Sequence, residues 1–370
     1  MNGYFARVRY CIRPWSPSDS VRLYAVEVRK QMSNDSRFRK VSINALTNYL
    51  RFFFTMVVSF FLIPFIIKRL GAEAYGLWSL SFSILGFFSL LDFGFGLGVV
   101  KWTGETNASG QAEYRNHMLS TIFHVYVTIA AIGMILLVLF SLFYTRLFSI
   151  ESSMATAAVA VLIILGIRTL VIQIPLSLFK GALFGIQEIY LTNLIQIFGT
   201  VLYAGSVWFA LSRGKGIVWL AALNCISFLI ENMAYVFFAY RKIHGLHISP
   251  RLVQKKYFSE VVGFSIYSFL ATVAGLVLFQ TDAIIIQLVL SLELVGFYAV
   301  ATKVSEYAYL LTKQLVNVLT PLISELKAKR EDDTIRYLLV DLTKYIMATG
   351  FLITGSIYVF GRDLLILWVE

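Results

Sequence analysis

Charge is scarce in this sequence. Of 370 residues only 14% are Asp, Glu, Lys or Arg, against 58% hydrophobic, and mean hydropathy is +0.74. A soluble domain is about a quarter charged. So little polar surface excludes a soluble globular enzyme and leaves lipid as the main solvent. Cysteine is nearly absent. Cys11 lies in a basic N-terminal stretch and Cys225 in an apolar run, so neither a disulfide framework nor a thiolate metal site is available. Histidine is scarce too. His244 and His247, beside Arg241 and Lys242, lack further ligands, and His117 and His124 read as polar packing. The sequence has no Walker loop, no nucleophilic triad and no paired carboxylates over a cleft. Asp92-Phe93-Gly94 spells the kinase magnesium triplet, but no nucleotide loop or catalytic loop accompanies it. No enzymatic activity, cofactor or metal is expected.

What the sequence does have is long apolar runs. Nine are long enough to span a bilayer: 46–67, 77–100, 119–144, 155–179, 189–211, 217–240, 261–290, 294–322 and 338–360. They are continuous rather than alternating, so they predict helices and not a barrel. The expected fold class is all-α, a polytopic transmembrane helical bundle. The stretch 1–31 is basic and has no apolar h-region, so it is no secretory signal; it reads as an upstream extension ahead of Met32. Counted from Met32, sixteen Lys and Arg fall on the side of the N-terminus and six on the other. By the positive-inside rule the N-terminus is cytoplasmic.

The sequence also repeats. Leu70, Glu73 and Gly76, followed by Leu77 and Trp78, recur as Leu290, Glu293 and Gly296, followed by Phe297 and Tyr298, at an offset of 220 residues. Six helices separate the copies, so the orientation is preserved and the repeat axis runs along the membrane normal. Two six-helix halves make twelve helices, and the sixth would recur near residue 460, so the chain reads as truncated.

These motifs resemble, in their order, the bacterial polysaccharide flippases. These are the O-antigen and exopolysaccharide translocases of the multidrug/oligosaccharidyl-lipid/polysaccharide exporter superfamily. The resemblance rests on Lys68-Arg69-Leu70-Gly71, Glu73, Tyr75-Gly76-Leu77-Trp78 and Leu91-Asp92-Phe93-Gly94-Phe95-Gly96-Leu97-Gly98. Further on it rests on Lys180 to Gln187, Asp282 to Ile286, Gly296-Phe297-Tyr298 and Thr320-Pro321. It implies a two-lobe exporter fold with the second lobe incomplete. The division is a cytoplasmic extension 1–42, a six-helix first lobe 43–240, an inter-lobe loop 241–260 and a partial second lobe 261–370. It also implies flipping of undecaprenyl-diphosphate-linked oligosaccharide across the bacterial inner membrane. Lipid-linked oligosaccharide and membrane lipids are the implied partners, with a polysaccharide polymerase and glycosyltransferases beside them; nucleic acid is not expected. The alternatives are a cation-coupled multidrug exporter of the same superfamily, a membrane glycosyltransferase and a non-functional fragment.

Charges inside the spans mark candidate sites, because each is costly in hydrocarbon. Arg168 sits mid-span with no carboxylate three or four residues away. It can hold a diphosphate through its planar fork, or bond helix carbonyls, or snorkel. A structural pairing with Asp92 or Glu231 is also open. Lys303 and Lys313 fall near one helix face and make a candidate basic stripe, or else Lys303 pairs with Glu306 and Lys313 snorkels. Asp282, beside Gln280 and Thr281, and Asp92 are candidate ion-coupling carboxylates. The other readings are a bonded buried carboxylate for Asp282 and a hinge or capping group for Asp92.

Overall fold

The computed structural model describes residues 36–309 and 332–369. The expected extension 1–31 and Lys313 lie outside them. Among the described residues every regular element is helical. In chain order these are α1 (Ser36–Leu70), α2 (Ala72–Phe88), α3 (Phe95–Ser109), α4 (Ala112–Leu147), α5 (Ser152–Gly166), α6 (Ile174–Gly185), α7 (Ile189–Ser212) and α8 (Ile217–Lys242). They continue as α9 (Lys255–Val289), α10 (292–309) and α11 (Asp332–Val369). Seven stretches of the described residues are long and apolar enough to cross a membrane. They coincide with seven of the nine apolar runs; the other two fall on α9 and on α10 with the residues beyond it.

One run is not a single helix. The second, expected from Leu77 to Val100, breaks after Phe88 into a 3-10 turn, Ser89–Asp92, and restarts at Phe95. Phe93 and Gly94 are both left-handed, with φ of 49° and 76°. Glycines at 94, 96 and 98 weaken the helix. The Asp92 carboxylate lies within hydrogen-bonding range of the Gly94 and Gly96 amides and accepts from the Tyr126 hydroxyl. Such local bonding competes with the helical ladder.

Two prolines shape the other helices. Pro64 in α1 cannot donate to the Phe60 carbonyl one turn before it. The Trp368 indole of α11 donates there instead, at 2.6 Å, and its ring stacks on Phe60. Pro175 likewise interrupts the ladder upstream of α6, where Ile167–Gln173 form a π-helical segment that joins α5 to α6 as one span. π-Turns are rare and concentrate at functional sites.

Polar clasps tie the ends of helices at one side of the bundle. Asn44 of α1 donates to the Gln187 carbonyl and accepts from the Tyr190 amide. Lys40 meets Glu188 at 2.7 Å, with Lys242 3.8 Å away. Burial alone would raise the Glu188 carboxyl, but the hydrogen bonds from Lys40 and Tyr190 and the two lysine charges hold it below its ordinary value. A depressed carboxyl stabilises above its unfolded value and loses that contribution as pH falls through its folded one. Glu188→Gln should therefore cost about 0.5–1 kcal/mol at pH 7, since Lys40 is partly exposed. The gap to the parent should close below the ordinary carboxylate range. Thermal unfolding in detergent across pH reads this; a gap that widens in acid would contradict it. At the same side, Arg115 and Asn116 of α4 donate to the His244 and Gly245 carbonyls at 2.8 and 2.7 Å, so the loop after α8 lies strapped to α4. His117 is polar packing there, bonded to the Leu252 carbonyl and stacked on Tyr257 of α9.

Candidate functional site

A cavity of about 920 Å³ opens between α1, α2, the π segment, α9 and α10, with Tyr203 of α7 and Asn224 of α8 at its wall. Three of the expected site residues, Arg168, Asp282 and Lys303, line it together. Asp92 does not; it lies ahead of α3, where its carboxylate accepts from the Tyr126 hydroxyl.

The π segment sets the posture of Arg168. In a π turn residues five apart come close to one face. Arg168 accordingly donates from Nη1 to the Gln173 side-chain oxygen at 3.2 Å. Its guanidinium rests 3.9 Å from the Phe228 ring centre and 5.5 Å from that of Phe82, within cation–π range. Its Nε has no hydrogen-bond partner. Among the described residues no carboxylate lies within 4.0 Å of it: the pairing with Asp92 is not made, and Glu231 acts on it only at longer electrostatic range. The other charges of the cavity are engaged. Lys303 pairs with Glu306 at 2.6 Å, and Asp282 accepts from the Tyr298 hydroxyl. The Lys303–Glu306 pairing is the second reading of that cation, and it leaves Arg168 as the lining cation without an acidic contact among the described residues.

The repeat organises this lining. The seven residues of α10 at the cavity are Tyr298, Ala299, Thr302, Lys303, Ser305, Glu306 and Tyr309. Each lies 220 positions after a lining residue of α2 or its 3-10 turn: Trp78, Ser79, Phe82, Ser83, Leu85, Gly86 and Ser89. The cavity is thus built around a pseudo-twofold axis between α2 and α10. Its two faces differ in chemistry: the α2 face is aromatic and hydroxylated, and the α10 face carries the ion pair.

Behind Arg168 lies a second polar cluster, of which sequence reasoning raised only the Arg168–Glu231 pair and missed Lys180, Arg51 and Tyr235. Glu231 of α8 is buried, accepts from Tyr235 at 2.7 Å, and lies in the electrostatic range of Arg168, Lys180 and Arg51. Gly199 leaves it room, since a Cβ there would stand 2.6 Å from its Oε2. Lys180 rests over the Tyr235 ring. Helical spacing carries no signal for such a set, because its members come from α1, the π segment, α6 and α8. Glu231→Gln strands these cations in a buried setting. It should lower stability by about 1–3 kcal/mol. Tyr235→Phe should cost less. Equal melting of Glu231→Gln and the parent in detergent would remove Glu231 from the role of counter-ion.

Residues 39–327 match the family model described as polysaccharide biosynthesis protein. The chain belongs to that family. It is 22% identical over 204 residues to the uncharacterized membrane protein EpsK of Bacillus subtilis (strain 168). That stretch covers 55% of this chain and 40% of EpsK, so the match spans less than half the length of that relative. Among solved structures it is similar to an inward-facing multidrug resistance MATE family transporter of the MOP superfamily. The TM-score is 0.71 at 13% identity, covering 88% of this chain and 75% of that one. It is also similar to an outward-facing MATE transporter, with TM-score 0.59, 14% identity and coverage of 89% and 71%. Identities this low speak for the fold. The resemblance to polysaccharide flippases within the exporter superfamily holds, and so does the exporter fold. The family match and the seven apolar helices among the described residues make this a multi-pass membrane protein with the fold of those solved transporters.

Proposed function

We propose that this transporter moves a polyprenyl-diphosphate-linked oligosaccharide across the cytoplasmic membrane, with the N-terminus inside. The observation that carries the reading is Arg168: a guanidinium in the membrane span, facing the cavity, held by one glutamine and two aromatic rings and, among the described residues, free of carboxylate contact. A guanidinium in that setting calls for an anion or water, and its fork matches two phosphate oxygens. Membership in the polysaccharide family makes a sugar-bearing lipid diphosphate the natural anion. Tyr75, Trp78 and Tyr298 offer rings against which sugar faces can pack.

The second reading is export of a cationic drug, favoured by the carboxylates of Asp282 and Glu306 in the same cavity. Titration calorimetry of the purified protein separates the two. A short-chain prenyl diphosphate should bind, and Arg168→Ala should lose that binding. A lipophilic cation that binds through Asp282 while the diphosphate gives no heat would favour the drug reading instead.

A further inference from the structure

The repeat meets itself at one place. Gly76 of α2 and Gly296 of α10 are equivalent residues, 220 apart, and so are Ala72 and Leu292. A Cβ on Gly76 would overlap the Leu292 carbonyl oxygen and stand 3.0 Å from the Gly296 amide nitrogen. A Cβ on Gly296 would overlap the Ala72 carbonyl oxygen and stand 3.3 Å from the Gly76 amide nitrogen. Each glycine thus presses on the residue one turn before the other, the signature of a contact lying on the two-fold axis. Gly76 and Gly296 are both buried. Trp78 and Tyr298, the next pair along, already face the cavity.

The axis therefore runs down the cavity and is stopped at one end by two backbones in contact. That end is opposite the strapped loop after α8: α2 and α10 begin there, as does α8 after the Gly214–Gly216 turn. A solute leaving along the axis on that side must pass between α2 and α10. Glycine suits such a contact, because no side chains interlock and the helices separate without rearranging rotamers.

We propose that the Gly76–Gly296 crossing is the seal of this end of the cavity, and that it parts when the transporter opens there. The inference does not depend on which substrate the cavity takes. With the N-terminus inside, this end faces the extracytoplasmic side.

The test uses full-length protein in membranes, in a Cys11→Ser, Cys225→Ser background, with Ser83→Cys as a reporter inside the cavity. A membrane-impermeant maleimide is applied from either side. Lys215→Cys, in the exposed turn at the sealed end, reports which compartment that end faces, so sidedness is read separately. Gly76→Ala and Gly296→Ala should each speed labelling of the reporter from the sealed end by at least about tenfold, a shift of about 1.4 kcal/mol in the open population. Gly205→Ala, where a Cβ meets nothing within 4 Å, should leave the rate unchanged. Rates for both seal variants equal to that of Gly205→Ala would overturn the proposal. A second arm needs no glycine replacement. Glu73→Cys and Glu293→Cys, exposed at the rim and equivalent in the repeat, are bridged with a short bifunctional reagent. Bridging should suppress labelling from the sealed end, and undiminished labelling after complete bridging would also overturn the proposal.

Discussion

Arg168→Ala should reduce transport by roughly ten- to a hundredfold, the cost of removing hydrogen bonds to a charged group, while leaving the amount of folded protein intact. The second half of this expectation is the diagnostic one. Among the described residues Arg168 makes one neutral hydrogen bond, at 3.2 Å to Gln173, and its Nε has no partner. It makes few direct bonds between helices, Lys180 and Arg51 remain in the electrostatic range of Glu231 when it is removed, and its burial costs free energy that Ala would not incur. The melting temperature of Arg168→Ala should match or exceed that of the parent. Arg168→Lys keeps charge without the fork and should fall between the two in transport. Export in a complemented strain, normalised to folded protein, gives the first quantity, and thermal unfolding in detergent gives the second. If Ala lowers folded protein and restoring the amount restores export, Arg168 is structural.

Gly185→Ala should act in the opposite sense, on the fold and not on the site. A Cβ at Gly185 would stand 2.7 Å from the Val100 carbonyl oxygen, 2.8 Å from the Thr103 Cβ and 3.1 Å from the Gly104 amide nitrogen. Two of those neighbours are backbone and the third is a β-branched side chain at its root, so none can swing away. The helices α3 and α6 must move apart, at a cost of about 2–3 kcal/mol. Gly205→Ala, in open surroundings, is the control and should be neutral or slightly stabilising through helix propensity. Unfolding in detergent should show a clear loss for Gly185→Ala alone; equal stability of the two variants would mean that α3 and α6 are not held at this distance.

The contrast between these positions explains what was legible in the sequence. Apolar runs announce helices because every backbone group in hydrocarbon needs an internal partner, and seven runs reappear as spans by length and composition. The break at Asp92 to Gly94 was not legible as a boundary. The run stays apolar through it, and its causes are three glycines and a carboxylate bonding local amides. Nor was the π segment, although Pro175 just beyond Arg168 is a signal for it. Arg168 itself stood out as a mid-span cation, and Lys303 and Glu306 paired at the spacing of a helix turn. Glu231 was legible as a charge and as one open partner of Arg168, but not with Lys180 and Arg51, since these come from other helices. The repeat was visible as three identities in nine residues. Geometry is what the two copies share: glycine recurs where backbones touch, while the lining positions that follow have diverged, Ser83 to Lys303 and Gly86 to Glu306.

The central claim is that this cavity carries a lipid diphosphate sugar across a bilayer. Its most direct test is purified protein in liposomes loaded with a fluorescent polyprenyl-diphosphate oligosaccharide, read by the fraction of label that an impermeant quencher reaches over time. Parent protein should raise the rate of exchange between leaflets well above that of empty liposomes, and Arg168→Ala, equally folded and equally inserted, should return it close to that background. Exchange no faster with the parent than without protein, or equally fast with Arg168→Ala, would contradict the account.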